Sequence, residues 1–355
     1  MSDDQGRRIL VTGASGALAG GLLQQLEADE RVAYLGSVDL DEPRVPLERT
    51  EFIRGDLRNP LVAKVVESTG VDTLVHLGVI PTPTEAGGRS RMKELNVIGT
   101  MQLLAAAEHA PSLRQVVVRS STAVYGSHYR DPALLREDMR GAEPPTSGYG
   151  KDTTDIEGYA RALGRRRPDL TLSVMRLANT VGPTVDTPLT RYLRLPVPPT
   201  VLGYDPRMQL LHEDDAVEAL RRACLDAHPG VYNVAGPGVL YLSQVLRIAG
   251  RAEAPMPRPL APLVAASLRS IGHVDFSADQ LNFLLFGRVA DITRLRHTFG
   301  FTPAYDTRAA LVDFLTKRGL EPLVSPERVA ALERRLLGLV HQRTRPSAPA
   351  GGERR

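Results

Sequence analysis

The chain has no tryptophan, one cysteine and only four lysines, at 64, 93, 151 and 317, against 40 arginines. A single cysteine, Cys224, excludes an internal disulfide framework and fits a reducing compartment. On the helix-like run AVEALRRACLDA it reads as a small buried apolar residue. Long hydrophobic runs are also missing. PLAPLVAASL, at 259–268, is far short of the roughly 20 residues that cross a bilayer. The start, MSDDQGRRILVTGASG, enters a strand almost at once with no signal-peptide apolar region, so a cytoplasmic location is expected. The eight histidines lack metal-ligand spacing, and no metal is expected. Formal net charge is +3, and the tail HQRTRPSAPAGGERR carries that much alone. The remainder is near neutral and offers no basic face for nucleic acid.

What is present is an alternation. The β-rich runs RILVT, VAYLGSVD, TLVHLG, QVVVRSS and LTLSVMRL are separated by helical stretches through the first 180 residues or so. Continuous apolar strands between helices predict an α/β fold, a doubly wound parallel sheet covered on both faces. After residue 183 the rhythm breaks at the proline-rich LRLPVPPTVLGYDP, then resumes with a helix near HEDDAVEALRRACLDA and a strand at GVYNVAG. The expected division is a dinucleotide-binding Rossmann domain at 1–178 and 209–235, and a smaller α/β substrate domain at 179–208 and 236–320. Residues 321–355 are expected as an amphipathic helix, SPERVAALERRLLGLV, and a disordered tail.

RRILVTGASGALAGGLLQQL places Gly13, Gly16 and Ala19 between a strand and a helix. Small residues there permit a tight turn, close approach of backbone amides to a pyrophosphate, and tight helix–strand packing. Ser15, Ala17 and Leu18 fall in the same cradle. A second strand ends in SVDL with Asp39, whose carboxylate can accept both ribose hydroxyls and repels a 2′-phosphate. That favours NAD over NADP, with Arg44 nearby as a complication. Asp56 and Leu57 of RGDLRNP are expected beside adenine. Leu77, Gly78 and Val79 of HLGV end the next strand, where the backbone passes close to the cofactor.

These motifs, followed in order by NVIGT, SSTAVYG, YGKDTTDIEGY, RLANTVGP, LLHEDDAV, VYNVAG and DITRLRHTFGFTP, resemble the extended short-chain dehydrogenase/reductases of the NAD-dependent epimerase/dehydratase family. The resemblance runs from residue 7 to about 305. It implies a Rossmann domain with a C-terminal substrate domain, often a homodimer through helices that here begin near Asn96 and Asp152. It also implies Asn96 as a cofactor residue and a nucleotide sugar as substrate.

By the same resemblance Tyr149 is the acid/base that handles a hydroxyl proton, and Ser121 hydrogen-bonds the same oxygen. The family's lysine, one helical turn after the tyrosine, lowers its pKa and holds the nicotinamide ribose. Here that position is Thr153, and a lysine stands at 151. On a regular helix residue 153 lies about 40° round from Tyr149 and residue 151 about 200°. Lys151 is therefore a replacement only if residues 149–151 precede the first turn. Other departures concern the substrate. Arg207 adjoins Met208, where relatives carry a diphosphate-gripping arginine, and Asn179 and Arg288 remain as anion-binding candidates. Thr122 and Ala123 stand where dehydratases carry acid and base carboxylates, which argues against dehydration, and Thr122 is kept as a substrate contact. The bulky 255–287 segment suits a more apolar substrate. Three readings follow: an NAD-dependent epimerase or dehydrogenase acting on a nucleotide sugar or related alcohol; a catalytically impaired NAD-binding protein with a sensor or assembly role; and a binding module whose cradle holds another nucleotide.

Overall fold

A computed structural model describes residues 6–270 and 278–320. The amphipathic helix and tail expected at 321–355 lie outside the described residues. Seven strands form one parallel sheet: β1 (Arg7–Thr12), β2 (Val32–Asp39), β3 (Glu51–Arg54), β4 (Thr73–His76), β5 (Gln115–Ser121), β6 (Thr171–Leu177) and β7 (Gly230–Val234). Their spatial order is β7-β6-β5-β4-β1-β2-β3. The five helices that cover the sheet are α1 (Ala17–Glu27), α2 (Val62–Thr69), α3 (Gly99–His109), α4 (Gly148–Arg166) and α5 (Glu213–Leu225).

Alternate side chains along each strand enter different cores. Ile9, Val11 and Val117 pack with α1 and α5, while Leu10, Val116 and Val118 pack with α2, α3 and α4. Burial on both faces is why these strands read as unbroken apolar runs. The chain builds outward from β1 to β3, then crosses to the other side of β1 at β4. That reversal opens a crevice at the carboxyl ends of β1 and β4, where ligands bind in open α/β sheets.

Helix α4 begins at Gly148, earlier than the expected start near Asp152. Glycines at 148 and 150 are poor helix formers and disguise the first turn. Gly150 is demanded by packing: a Cβ there would lie 2.7 Å from the Pro145 ring and 2.9 Å from the Ala123 carbonyl. Tyr149 and Lys151 therefore both sit inside the first turn.

Beyond β6 the chain forms short strand pairs, 179–181 with 210–212, 207–208 with 240–241 and 199–201 with 254–256. Tyr192, Leu193, Leu246, Phe283 and Phe314 belong to a third core there. Leu295, Phe299 and Phe301 instead pack into the α1–α5 layer. No helix among the described residues is long and apolar enough to cross a membrane.

Candidate active site

A cavity of about 1260 Å³ runs along the carboxyl edge of the sheet and on to the third core. At one end is the turn after β1. Gly13 has φ +79°, and a Cβ on it would lie 2.4 Å from the Gly78 Cα, so the two backbones touch at the crevice. Gly16 caps α1 with no side-chain hydrogen bond, leaving the first-turn amides facing the cavity. Open amides plus the helix dipole make an anion site. Asp39 Oδ2 accepts from the Ser15 amide at 2.9 Å and hydroxyl at 2.7 Å, and Oδ1 accepts from Leu40 N at 2.7 Å. This fixes the carboxylate on the cavity wall. Asp56 is held by Arg58 at 2.6 Å, which keeps its carboxyl below the usual range. Ala17, Leu18, Leu57, Leu77, Gly78 and Val79 also line this end.

Under the glycine contact lies His76, fully buried between the Thr12 hydroxyl at Nδ1 (2.7 Å) and the Thr100 hydroxyl at Nε2 (2.8 Å). Burial, helped by the charge of Arg119, pushes its pKa down to about 4. It is a neutral structural strut.

The other end of the cavity is lined by Ser121, Tyr149, Asn179 and Arg288. Ser121 ends β5 and accepts from the Ala123 amide at 3.1 Å. The α4 helix is anchored from both sides. Arg89 grips the buried Asp152 at 2.5 and 2.7 Å. On the sheet side Glu157 takes two bonds from Arg176 (2.8 and 2.7 Å) and one from Ser120 (2.6 Å). Arg176 also donates to the Tyr125 hydroxyl at 2.7 Å, which donates to Asn233 at 2.9 Å. Burial alone would raise the Glu157 carboxyl, but Arg176, Ser120 and Arg161 outweigh it and hold it low. Arg288 donates to the Gly126 carbonyl at 2.8 Å and lies over the Phe283 ring.

Four expected site residues do not line the cavity. Lys151 pairs with Asp155 along α4, on the side of the helix away from Tyr149. Asn96 is fully buried and clamps Ile80, accepting from its amide (2.8 Å) and donating to its carbonyl (2.9 Å). Thr122 is buried in the turn after β5. Arg207 pairs with Tyr241 and lies against Gly287. Thr153, where the resemblance leads one to expect a lysine, is buried and donates its hydroxyl to the Gly150 and Tyr149 carbonyls at 2.9 and 3.1 Å. The cavity also contains residues the sequence reading passed over: Arg91, Arg119, Thr184, Arg191 and Tyr192. For Arg119 a signal existed, as the lone charge in the strand VVVRSS. No group of three His, Cys, Asp or Glu side chains able to hold a metal occurs among the described residues.

Residues 9–235 match the model of the NAD dependent epimerase/dehydratase family. The chain belongs to that family. Its relatives include an uncharacterized protein of Mycobacterium tuberculosis, 43% identical over 339 residues and covering 94% of this chain and 90% of that one. UDP-glucose 4-epimerase 2 of Oryza sativa is 28% identical over 194 residues, 50% of this chain and 45% of the rice protein. Among solved structures, UDP-glucuronic acid 4-epimerase from Bacillus cereus, in complex with UDP-glucuronic acid and NAD, superposes with a TM-score of 0.66 at 19% identity. That match covers 88% of this chain and 100% of the other. UDP-glucose 4-epimerase from Thermotoga maritima, with UDP-glucose, gives 0.67 at 19% identity, again covering 88% and 100%. NAD is the cofactor of this epimerase/dehydratase family, and the residues here fit it: touching glycines, open α1 amides, and a carboxylate at the end of β2.

Proposed function

We propose that this chain is an NAD-dependent epimerase or dehydrogenase of a nucleotide sugar or related alcohol. The observation that carries the reading is that Ser121 and Tyr149 line the same cavity as the Gly13–Asp39 cradle. In this reading Gly13, Ser15, Gly16 and Asp39 hold the adenosine half of the cofactor. Tyr149 takes and returns the proton of a substrate hydroxyl, and Ser121 orients that hydroxyl. NAD, when bound, supplies the hydride acceptor. Asn179 and Arg288 face the remaining space and are assigned to the substrate. The sugar-nucleotide class is supported by the rice relative and by the solved neighbours, whose own ligands are UDP-sugars. A cytoplasmic homodimer paired through α3 and α4 belongs to the same reading, and sedimentation of the purified protein tests the pairing.

A specific observation favours the second reading, an NAD-binding protein without turnover. No lysine flanks Tyr149 on its own helix face, since Lys151 is paired with Asp155 and Thr153 is bonded into the helix. An unassisted tyrosine has a pKa of about 10, so roughly one in a thousand is ionised at pH 7. The deciding assay loads the protein with NAD and follows reduced-nicotinamide absorbance with a panel of nucleotide sugars and alcohols from pH 7 to about 10. Reduction that climbs with pH and is abolished in Tyr149→Phe supports the enzyme. Silence across the range with NAD bound supports the sensor or assembly role.

A further inference from the structure

The lysine missing at 153 would have placed a cation beside the nicotinamide half of the cofactor, and the structure supplies one from a different element. Arg119 lies on β5 two residues before Ser121, so the two side chains leave the same face of the sheet. Both line the cavity. The Arg119 Nη1 donates to the Leu77 carbonyl at 3.3 Å, which stations the guanidinium between the ends of β4 and β5. Its Nε is buried with no hydrogen-bond partner among the described residues. No carboxylate among the described residues pairs with it. An arginine stays protonated in any protein environment. Its charge is therefore uncompensated, and it is felt as far as His76 beneath the glycine contact.

Topology says which part of the cofactor meets that charge. The adenosine half belongs over β1, β2 and β3, at Gly13, Asp39 and Asp56, so the other half crosses the switch point towards β4, β5 and β6. The remaining cavity arginines are differently placed. Arg191 is tied to Glu85 and Asp186, Arg288 reaches the Gly126 carbonyl, Arg91 lies near enough to Asp56 to help lower its carboxyl, and Arg44 follows Asp39 at the adenosine end.

We propose that Arg119 is a fixed cation turned on the nicotinamide half of the cofactor, and that it biases the site towards the reduced dinucleotide. This role for Arg119 rests on the cofactor orientation given under Proposed function. The oxidised nicotinamide ring carries a positive charge that the reduced ring lacks. A neighbouring guanidinium repels the first and leaves the second untouched, so NADH binds more tightly relative to NAD than it would without Arg119. The same bias favours hydride uptake from the substrate. Arg119 is a positioning and electrostatic residue, and takes no proton.

The test measures both dissociation constants on the full-length protein, stripped of bound dinucleotide. NADH is followed by its own fluorescence and NAD by calorimetry. At an effective dielectric of 20, a unit charge roughly 12 Å from the ring shifts the ratio of the two constants about tenfold, and a nearer one more. The ratio Kd(NAD)/Kd(NADH) should fall by about that factor in Arg119→Met and in Arg119→Gln. Arg119→Lys, which keeps the charge, should hold it within about threefold. If Met or Gln weakens both forms equally, Arg119 anchors the diphosphate and the proposal is overturned while the cofactor reading stands. An unchanged ratio also overturns it. If the wild-type chain binds neither form, the cofactor reading falls with it.

Discussion

Replacing Glu157 by glutamine keeps the size of a side chain in the middle of α4 and removes its charge. Only 3% of that side chain and 7% of its partner Arg176 are exposed. In the wild type two guanidinium bonds from Arg176, a third from the half-exposed Arg161 and the Ser120 hydroxyl converge on the carboxylate. In the variant an amide N–H₂ would face a guanidinium N–H across the 2.7 Å now spanned by a bond. Breaking a buried pair from one side leaves the other charge uncompensated, at a cost of about 3–5 kcal/mol. That is a large share of the roughly 5–15 kcal/mol that holds a protein folded. Denaturant unfolding at pH 7 should show a loss of about 3 kcal/mol, and the same change made in an Arg176→Met background should cost less than about 1 kcal/mol. Because the folded carboxyl is held below its ordinary value of 4.5, its contribution is complete above that value and disappears as pH falls through the folded pKa. Wild type and variant should therefore converge in acid. A single-variant loss under about 1 kcal/mol, or costs that simply add across the pair, would refute the claim that this bridge bolts α4 to the sheet.

Gly13→Ala should remove detectable NAD binding in calorimetry, and should lower stability by at least about 2 kcal/mol, since φ +79° is costly for alanine and its Cβ meets the Gly78 backbone. His76, held at about 4 against an ordinary 6.5, binds a proton more readily unfolded. Its contribution is whole above pH 6.5 and drains towards pH 4. The wild type should lose about 2 kcal/mol between pH 7 and pH 5 from this group, and His76→Gln should lose that much less over the same interval. Asp39→Asn should weaken NAD at least tenfold while narrowing its advantage over NADP, read from paired titrations.

The sheet strands were legible because each is buried on two faces. VAYLGSVD and QVVVRSS coincide with β2 and β5 to the residue. The four-residue β3, EFIR, sits at the sheet edge, half exposed and charged, and carries no such mark. The glycine cradle and Asp39 were legible because a turn with positive φ and a carboxylate at a strand end leave fixed residue types behind. The far end of the cavity was less so. Asn96 and Arg207 are held elsewhere by partners remote in sequence, Thr122 is buried in the turn after β5, and Lys151 is turned away by the helix start at Gly148, which two glycines concealed. Arg119 was visible as a charge in an apolar strand, but its direction depends on which face of the sheet opens to the crevice.

The cavity belongs to no single core. Gly13, Leu77 and Tyr149 border it from the sheet layers, and Tyr192, Leu189 and Phe283 from the third core. Anything bound between them is mortar as well as cargo. Its binding energy is added to the docking of one body on the other, about 2.7 kcal/mol at a ligand concentration one hundred times its Kd. The supply of cofactor, and of whatever substrate the cavity takes, thereby sets how long the joint resists a protease, and the amount of this protein in a cell becomes tied to what there is for it to bind.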